Sequence, residues 1–181
     1  MRASRTADSG GQSVWAIDPT HTTVAFTAGQ FFFFKLNGSF EDIAGTLVLD
    51  EENINGSSVQ ATIKAASIST GSKRREAQLK SADFLEADRY PNILFRSTQV
   101  EPGLDRDTLR VTGDLTIKDK TRPIVLAVDV IDRSRSPQGE EVVYYTATTE
   151  IDRRDFGMKH GRLMTGRKLA VVINVQAVRN K

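Results

Sequence analysis

Two histidines and no cysteines among 181 residues leave this chain few routes to side-chain chemistry. Without thiols it has no disulfide, no thiol nucleophile and no cysteine-based zinc site. His21 follows Pro19 and Thr20 just ahead of a strand-like run, and His160 lies near Gly157 and Gly161. Two isolated histidines do not make a three-ligand zinc site, and no HExxH spacing is present. A hydrogen-bonding or structural role therefore leads for each. No G-x-S-x-G elbow supports a Ser-His-Asp triad. If the chain is an enzyme, Asp18, His21, Arg153 and Asp155 are its plausible polar members. Lys73, Arg74 and Arg75 form a basic run with the chemistry to hold a phosphate, although a solvated helix face has the same composition. Arg153, Arg154 and Asp155, just before Phe156-Gly157, read as an ion pair or a turn hydrogen bond. No metal or other cofactor is expected.

The oddest stretch is Phe31 to Phe34. Strand side chains alternate faces, so four consecutive phenylalanines cannot all point into one core. Two of them face outward or line a rim. A covering helix or neighbouring subunit would explain this, and so would an apolar mouth or a membrane-touching patch.

The elements that must position these residues follow a period of two. Val14 to Ile17 begins the first apolar segment, and Val24 and Phe26 alternate with Thr23, Ala25 and Thr27. Further alternating sets are Leu47 and Leu49; Val59, Ala61, Ile63 and Ala65; Ile93 and Phe95; and Val111, Gly113, Leu115 and Ile117. After them come Ile124, Leu126, Val128 and Val130; Val143, Tyr145 and Ile151; and Leu169, Val171, Ile173 and Val175. Such alternation marks strands with one apolar face. Asn55-Gly56, Pro102-Gly103, Asp119-Lys120 and Pro137-Gln138-Gly139 separate them with turn chemistry. The reading is all-β, with about eight antiparallel strands forming a closed barrel or a sandwich; closure removes exposed edges more completely. Ser72 to Phe84 breaks the pattern. It predicts one short inserted helix capped by Ser72, then a turn begun by Ser81, with Pro91 blocking further helix.

Composition bounds the rest. The length suits one domain, and no repeat or linker divides it. Hydrophobic residues make up 39% and charged residues 27%, and no apolar run approaches the roughly 20 residues of a bilayer span. A formal charge of +2 with interspersed signs argues against nucleic acid as a partner. Met1 to Gln12 has two arginines and no apolar core, so it is not a secretory signal as written. Its small polar residues predict a disordered tail over 1–12, with the folded domain at 13–181. The default address is cytoplasmic; if a native leader is missing, the address is periplasmic or secreted.

Taken in order, several short pieces carry a resemblance. W-x-I-D-P-T-H-T spans Trp15 to Thr22, G-S-F spans Gly38 to Phe40, and G-T-L-V-L-D spans Gly45 to Asp50. A-S-I-S-T follows at Ala66 to Thr70, K-R-R-E-A-Q-L-K-S-A-D-F-L at Lys73 to Leu85, and Y-P-N-I-L-F-R-S-T at Tyr90 to Thr98. G-D-L-T-I-K-D-K-T-R-P at Gly113 to Pro123 and R-R-D-F-G at Arg153 to Gly157 complete the set. In this order and spacing the chain resembles the YceI-like family, a group of lipocalin-like polyisoprenoid-binding proteins, from Trp15 to about Arg179. It departs where the family usually has R-D-x-H-L, having Arg75-Glu76-Ala77-Gln78-Leu79, and it lacks a family histidine near Gln30.

The resemblance implies an eight-stranded antiparallel lipocalin-like barrel with a helix closing one end and a long isoprenoid or fatty chain inside. It also implies a homodimer and no catalysis. Carried onto this chain, the implied ligand contacts are Val24, Phe26, Phe31, Phe33, Phe40, Leu47, Ile63, Leu79, Phe84, Phe95, Leu115, Ile117, Leu126, Val128, Tyr145, Phe156 and Ile173. Ala61, Ala65, Gly113 and Ala147 are the small positions that would leave room for a slender ligand. A phosphate head, if present, would sit at Lys73, Arg74 and Arg75. Two other readings stay open at this point: an enzyme acting on a small apolar substrate, and an interaction module with a filled core.

Overall fold

The computed structural model describes residues 11–30, 34–158 and 166–181. Eleven strands appear in chain order: β1 (Gln12–Ile17), β2 (Thr23–Gln30), β3 (Phe34–Phe40), β4 (Ile43–Asp50), β5 (Ser58–Lys64), β6 (Ile68–Ser69), β7 (Asn92–Pro102), β8 (Thr108–Ile117), β9 (Lys120–Arg135), β10 (Glu141–Asp152) and β11 (Lys168–Arg179). One α-helix, α1 (Lys73–Lys80), interrupts them between β6 and β7.

Three of the eight staves are each broken in two. β1 pairs with β4, from Gln12↔Asp50 to Ala16↔Thr46, and β2 continues along β3 from Val24↔Phe40. β4 pairs with β5 and β3 pairs with β6. Thus β1–β2, β3–β4 and β5–β6 are each one long strand with an irregular break, at Asp18–Thr22, Glu41–Asp42 and Ala65–Ser67. With β7 to β11 they make eight antiparallel staves in sequence order. β11 then pairs with both β1 and β2, which closes the barrel. Closure leaves no continuous open edge. Most of the tail expected over 1–12 lies outside the described residues, and β1 already begins at Gln12.

Alternation drives this architecture. In β1, Ser13, Trp15 and Ile17 face in, while Gln12, Val14 and Ala16 face out. Small residues are required where rings lie flat on the wall. A Cβ on Gly38 would sit 2.3 Å from the Phe26 ring, and one on Gly113 would sit 2.5 Å from the Phe95 ring.

The two ends of the barrel differ. One carries α1, whose first turn is capped by Ser72; the Ser72 hydroxyl accepts from the Arg75 amide at 3.3 Å. Only Leu79 of α1 is buried. Phe84, Leu85 and Ala87 of the following turns join it against Phe26, Leu36, Ile93, Ile117, Ile151 and Leu169. Burying each large apolar side chain of this plug is worth about 1.5–3 kcal/mol. Arg153 is buried there too. It donates from Nε to the Gly166 carbonyl at 2.8 Å and from Nη1 to the Met158 carbonyl at 2.5 Å. Its guanidinium thereby ties the 3₁₀ turn Arg153–Phe156 to the start of β11. The opposite end holds the β4–β5, β7–β8 and β9–β10 turns, and Trp15 packs there with Leu47, Val143 and Ala177.

Candidate functional site

A cavity of about 230 Å³ runs along the barrel. Its wall draws on nearly every stave: Ile17, Val24, Phe26 and Phe40; Ile43, Leu47, Val59, Ala61 and Ile63; Phe95, Val111, Leu115 and Ile124; Leu126, Val128, Tyr145 and Ala147; and Val171, Ile173 and Val175. Leu169 to Val175 on β11 spans six residue steps, about 20 Å of strand. The wall is almost wholly hydrocarbon. Its polar members are Ser57, Ser58, Tyr145 and Thr149. Burial holds the Tyr145 hydroxyl above its ordinary titration range, with Arg133 working against that shift and Glu51 adding to it.

The helix end of the cavity is shut. Leu79, Phe84, Leu85 and Met158 line it there and all are buried. At the other end the wall reaches Leu49, Ile54, Ser57, Ser58 and Leu109, which are partly or fully exposed. The rest of that end is sealed by Trp15, which is 0% exposed, with the Arg133 and Arg179 guanidinium groups 5.2 and 6.0 Å from its ring centre.

The residues anticipated as ligand contacts fall into three groups. Val24, Phe26, Phe40, Leu47, Ile63, Leu79, Phe84, Phe95, Leu115, Ile117, Leu126, Val128, Tyr145 and Ile173 line the cavity. Phe156 is not among them: it is buried in the cluster that contains the plug, on a 3₁₀ turn set against β9 and the end of β10. Phe31, Phe33 and His160 lie outside the described residues. Of the small positions, Ala61 and Ala147 line the cavity. Ala65 instead sits in the 3₁₀ break, and Gly113 lies under Phe95. The run Lys73 to Arg75 stands at the shut end on a largely exposed helix face, away from the open end, so it is not placed to meet a head group there.

Period-two alternation does not reveal Ile54 and Ser57, which belong to a turn, nor Ser58, a polar residue at the very start of β5. It also missed Ile43, Ile68 and Leu85, which sit at breaks or in the plug. A signal for Leu85 existed in the apolar pair Phe84-Leu85 after α1.

The polar candidates for catalysis do not converge. The Asp18 carboxylate accepts from the Thr20 amide at 2.9 Å and from the Thr20 hydroxyl at 2.6 Å, and its second oxygen is 2.8 Å from His21 Nδ1. This trio forms the β1–β2 break on the outer surface, not on the cavity wall. Asp155 is exposed. Among the described residues no group of three or more metal-ligating side chains is gathered. No helix among them is long and apolar enough to cross a membrane.

Two expectations arise from this geometry. Gly113→Ala would set a Cβ 2.5 Å from the Phe95 ring and 2.6 Å from the Arg96 carbonyl oxygen, so both the ring and the β7 backbone must shift, at a cost of about 1–3 kcal/mol of stability; a lowered thermal midpoint together with weaker lipid binding checks it. The second concerns Asp18. The Thr20 hydroxyl bond holds its carboxyl below the ordinary value of 3.8; burial opposes the shift and His21 adds to it. A lowered carboxylate gives stability that is fully present above its ordinary value and is lost as pH falls through the lower folded value. Asp18→Asn should therefore flatten the fall in thermal midpoint below pH 3.8. Parallel curves for the two proteins would contradict this.

A closed antiparallel barrel with an apolar lumen, plugged by a helix at one end, is a lipocalin-like barrel. The chain belongs to the YceI-like family: the YceI-like domain matches residues 15–177. It is 33% identical over 161 residues to Protein YceI of Shigella flexneri, covering 89% of this chain and 83% of that one. Among solved structures it is similar to Burkholderia cenocepacia BcnA, with a TM-score of 0.79 and 22% identity, over 88% of this chain and 98% of the other. A polyisoprenoid binding domain from Saccharophagus degradans shares the fold with a TM-score of 0.67 at 13% identity, over 92% of this chain and 98% of the other.

Proposed function

We propose that the barrel binds a long apolar lipid, an isoprenoid or fatty chain, in its lumen and carries, stores or sequesters it without altering it chemically. The observation that carries this reading is the continuous hydrocarbon wall enclosing an unfilled 230 Å³. Each buried methylene contributes about 0.8 kcal/mol, so about ten supply roughly 8 kcal/mol before the cost of immobilising the chain. Shape and length set selectivity on such a wall, because it offers few hydrogen bonds. A filled-core module is disfavoured by the cavity, and an enzyme by the outer-surface position of Asp18 and His21. Family membership and the polyisoprenoid-binding neighbour add support.

The volume falls below the roughly 300–1,000 Å³ of ordinary small-molecule pockets. One slender tail fits, and the remainder of a longer chain extends toward the open end. Two further parts of the proposal are a homodimer, tested by light scattering in solution, and a cytoplasmic address, tested by cell fractionation. The binding reading is tested by organic extraction of protein purified from its native host and mass spectrometry of the extract. A stoichiometric isoprenoid or fatty chain is the expected result. No recovered lipid, together with no uptake of added polyprenols, would overturn the reading.

A further inference from the structure

Among the described residues two stretches of the barrel wall lack a backbone ladder: β9 and β10 part beyond Thr148↔Ala127 at the helix end, and β5 and β7 part at the open end, where the cavity wall also reaches. β5 pairs with β7 only from Gln60↔Arg96 to Lys64↔Asn92. Beyond that, β7 bulges between Ser97 and Gln99 and runs on to Pro102 paired on one side only, with β8. The last tie across the seam is the Val59 amide donating to the Ser97 hydroxyl at 2.9 Å. Above it the gap is covered by the 3₁₀ turn Ile54–Gly56, whose Ile54 packs on the cluster holding Val100 and Val111.

That turn is fastened to β4, not to β7. The Asp50 carboxylate accepts from the Glu52 and Asn53 amides, and the Asp50 amide donates to the Ser57 hydroxyl at 2.9 Å. Swinging it away from β7 breaks none of these bonds. The cavity wall reaches this place at Ile54, Ser57 and Ser58. The charges around it are mainly carboxylates: Asp50, Glu51 and Glu52 flank the turn, and Asp105 and Asp107 bracket Arg106 on the β7–β8 turn. Arg133 is engaged with Glu51 at 2.7 Å and Arg110 with Glu101 at 3.9 Å, whereas Arg96, at the last β5–β7 pair, and Arg106 are exposed and make no ion pair among the described residues.

Resting on the lipid-carrier reading, we propose that the ligand enters sideways through this seam and that its polar head stays there as an uncharged hydrogen-bonding group, an alcohol or carbonyl, beside Ser57 and Ser58. The tail points to the α1 end. A diphosphate head would meet more carboxylates than unpaired guanidinium groups, Arg96 and Arg106 being the exposed cations near the seam without an ion pair among the described residues, and like charges at close range are unfavourable.

The absence of native cysteines makes the test direct. Ser58→Cys, at an exposed position, is coupled to a bulky maleimide reagent; Asp119→Cys, exposed on the β8–β9 turn at the shut end, is coupled likewise. Uptake of N-phenyl-1-naphthylamine is followed by stopped-flow fluorescence, and farnesol and farnesyl diphosphate, which share one tail, compete for the equilibrium complex. Labelling at position 58 should slow uptake about tenfold or more relative to the unlabelled variant, whereas labelling at 119 leaves it unchanged. Farnesol should compete about tenfold or more better than the diphosphate. Unchanged uptake after labelling at 58, or slowing only at 119, would overturn the seam as the entrance. Equal or better competition by the diphosphate would overturn the uncharged head. Failure of the unlabelled protein to bind either the naphthylamine or farnesol would instead overturn the carrier reading itself.

Discussion

Ala147→Phe is expected to abolish lipid uptake in a barrel that still folds. Ala147 lies on the cavity wall between Val128 of β9 and Ile173 of β11. A benzyl group there has one place to go, the lumen. Overpacking costs about 1–3 kcal/mol, which a domain with about 5–15 kcal/mol of stability survives. Displacing even four methylenes of ligand forfeits about 3 kcal/mol, roughly a hundredfold in affinity. Fluorescence titration with N-phenyl-1-naphthylamine reads the loss, and far-UV circular dichroism reads the fold. Unchanged affinity with an intact fold would place the ligand outside the barrel.

The second large effect concerns the open end. Trp15→Ala removes a ring that is fully buried, donates from Nε1 to the Ser13 hydroxyl at 2.7 Å, and carries two guanidinium groups. The cavity left by such a truncation costs about 3–5 kcal/mol. For a chain of this size each kcal/mol is worth about 2–4 °C, so the thermal midpoint should fall by about 6–20 °C. Trp15→Phe keeps most of the apolar area and the surface for Arg133, and should lose clearly less. Equal losses for the two would assign the effect to the Ser13 hydrogen bond instead.

Much of this was legible in the sequence because a barrel stave repeats every two residues. Leu115, Ile117, Leu126, Val128 and Ile173 could be placed on the inner face from alternation alone, and the register of the first four follows from hairpins with short turns, whereas β11 joins β10 through the longer connection 153–167. The breaks were not legible in the same way. Asp18 to Thr22 reads as a turn between two strands, yet β1 and β2 are one stave, since both pair along β11. β3 was hidden because Asn37, Gly38 and Ser39 weaken its apolar signal; Gly38 is there to accommodate the Phe26 ring. Phe156 is absent from the cavity wall, and a buried aromatic near a strand end reads the same in sequence whether it faces the lumen or packs beside it. Ile54 and Ser57 could not be found by periodicity, since the turn that carries them belongs to no stave, and Ser58 opens β5 in alternation with the apolar Val59. Lys73 to Arg75 drew attention by charge, but only the chain path shows that α1 stands at the shut end.

The entrance and the lumen together make one physical claim: the ligand is held by inward-facing methyl groups. The most direct measurement is an isotope-filtered NMR experiment on methyl-labelled protein with bound farnesol. Cross-peaks from the lipid to the methyls of Leu126, Val128 and Ile173, with none to the outward Val14, Leu94 and Val172, are the expected result. Contacts confined to Val14, Leu94 and Val172 would contradict it.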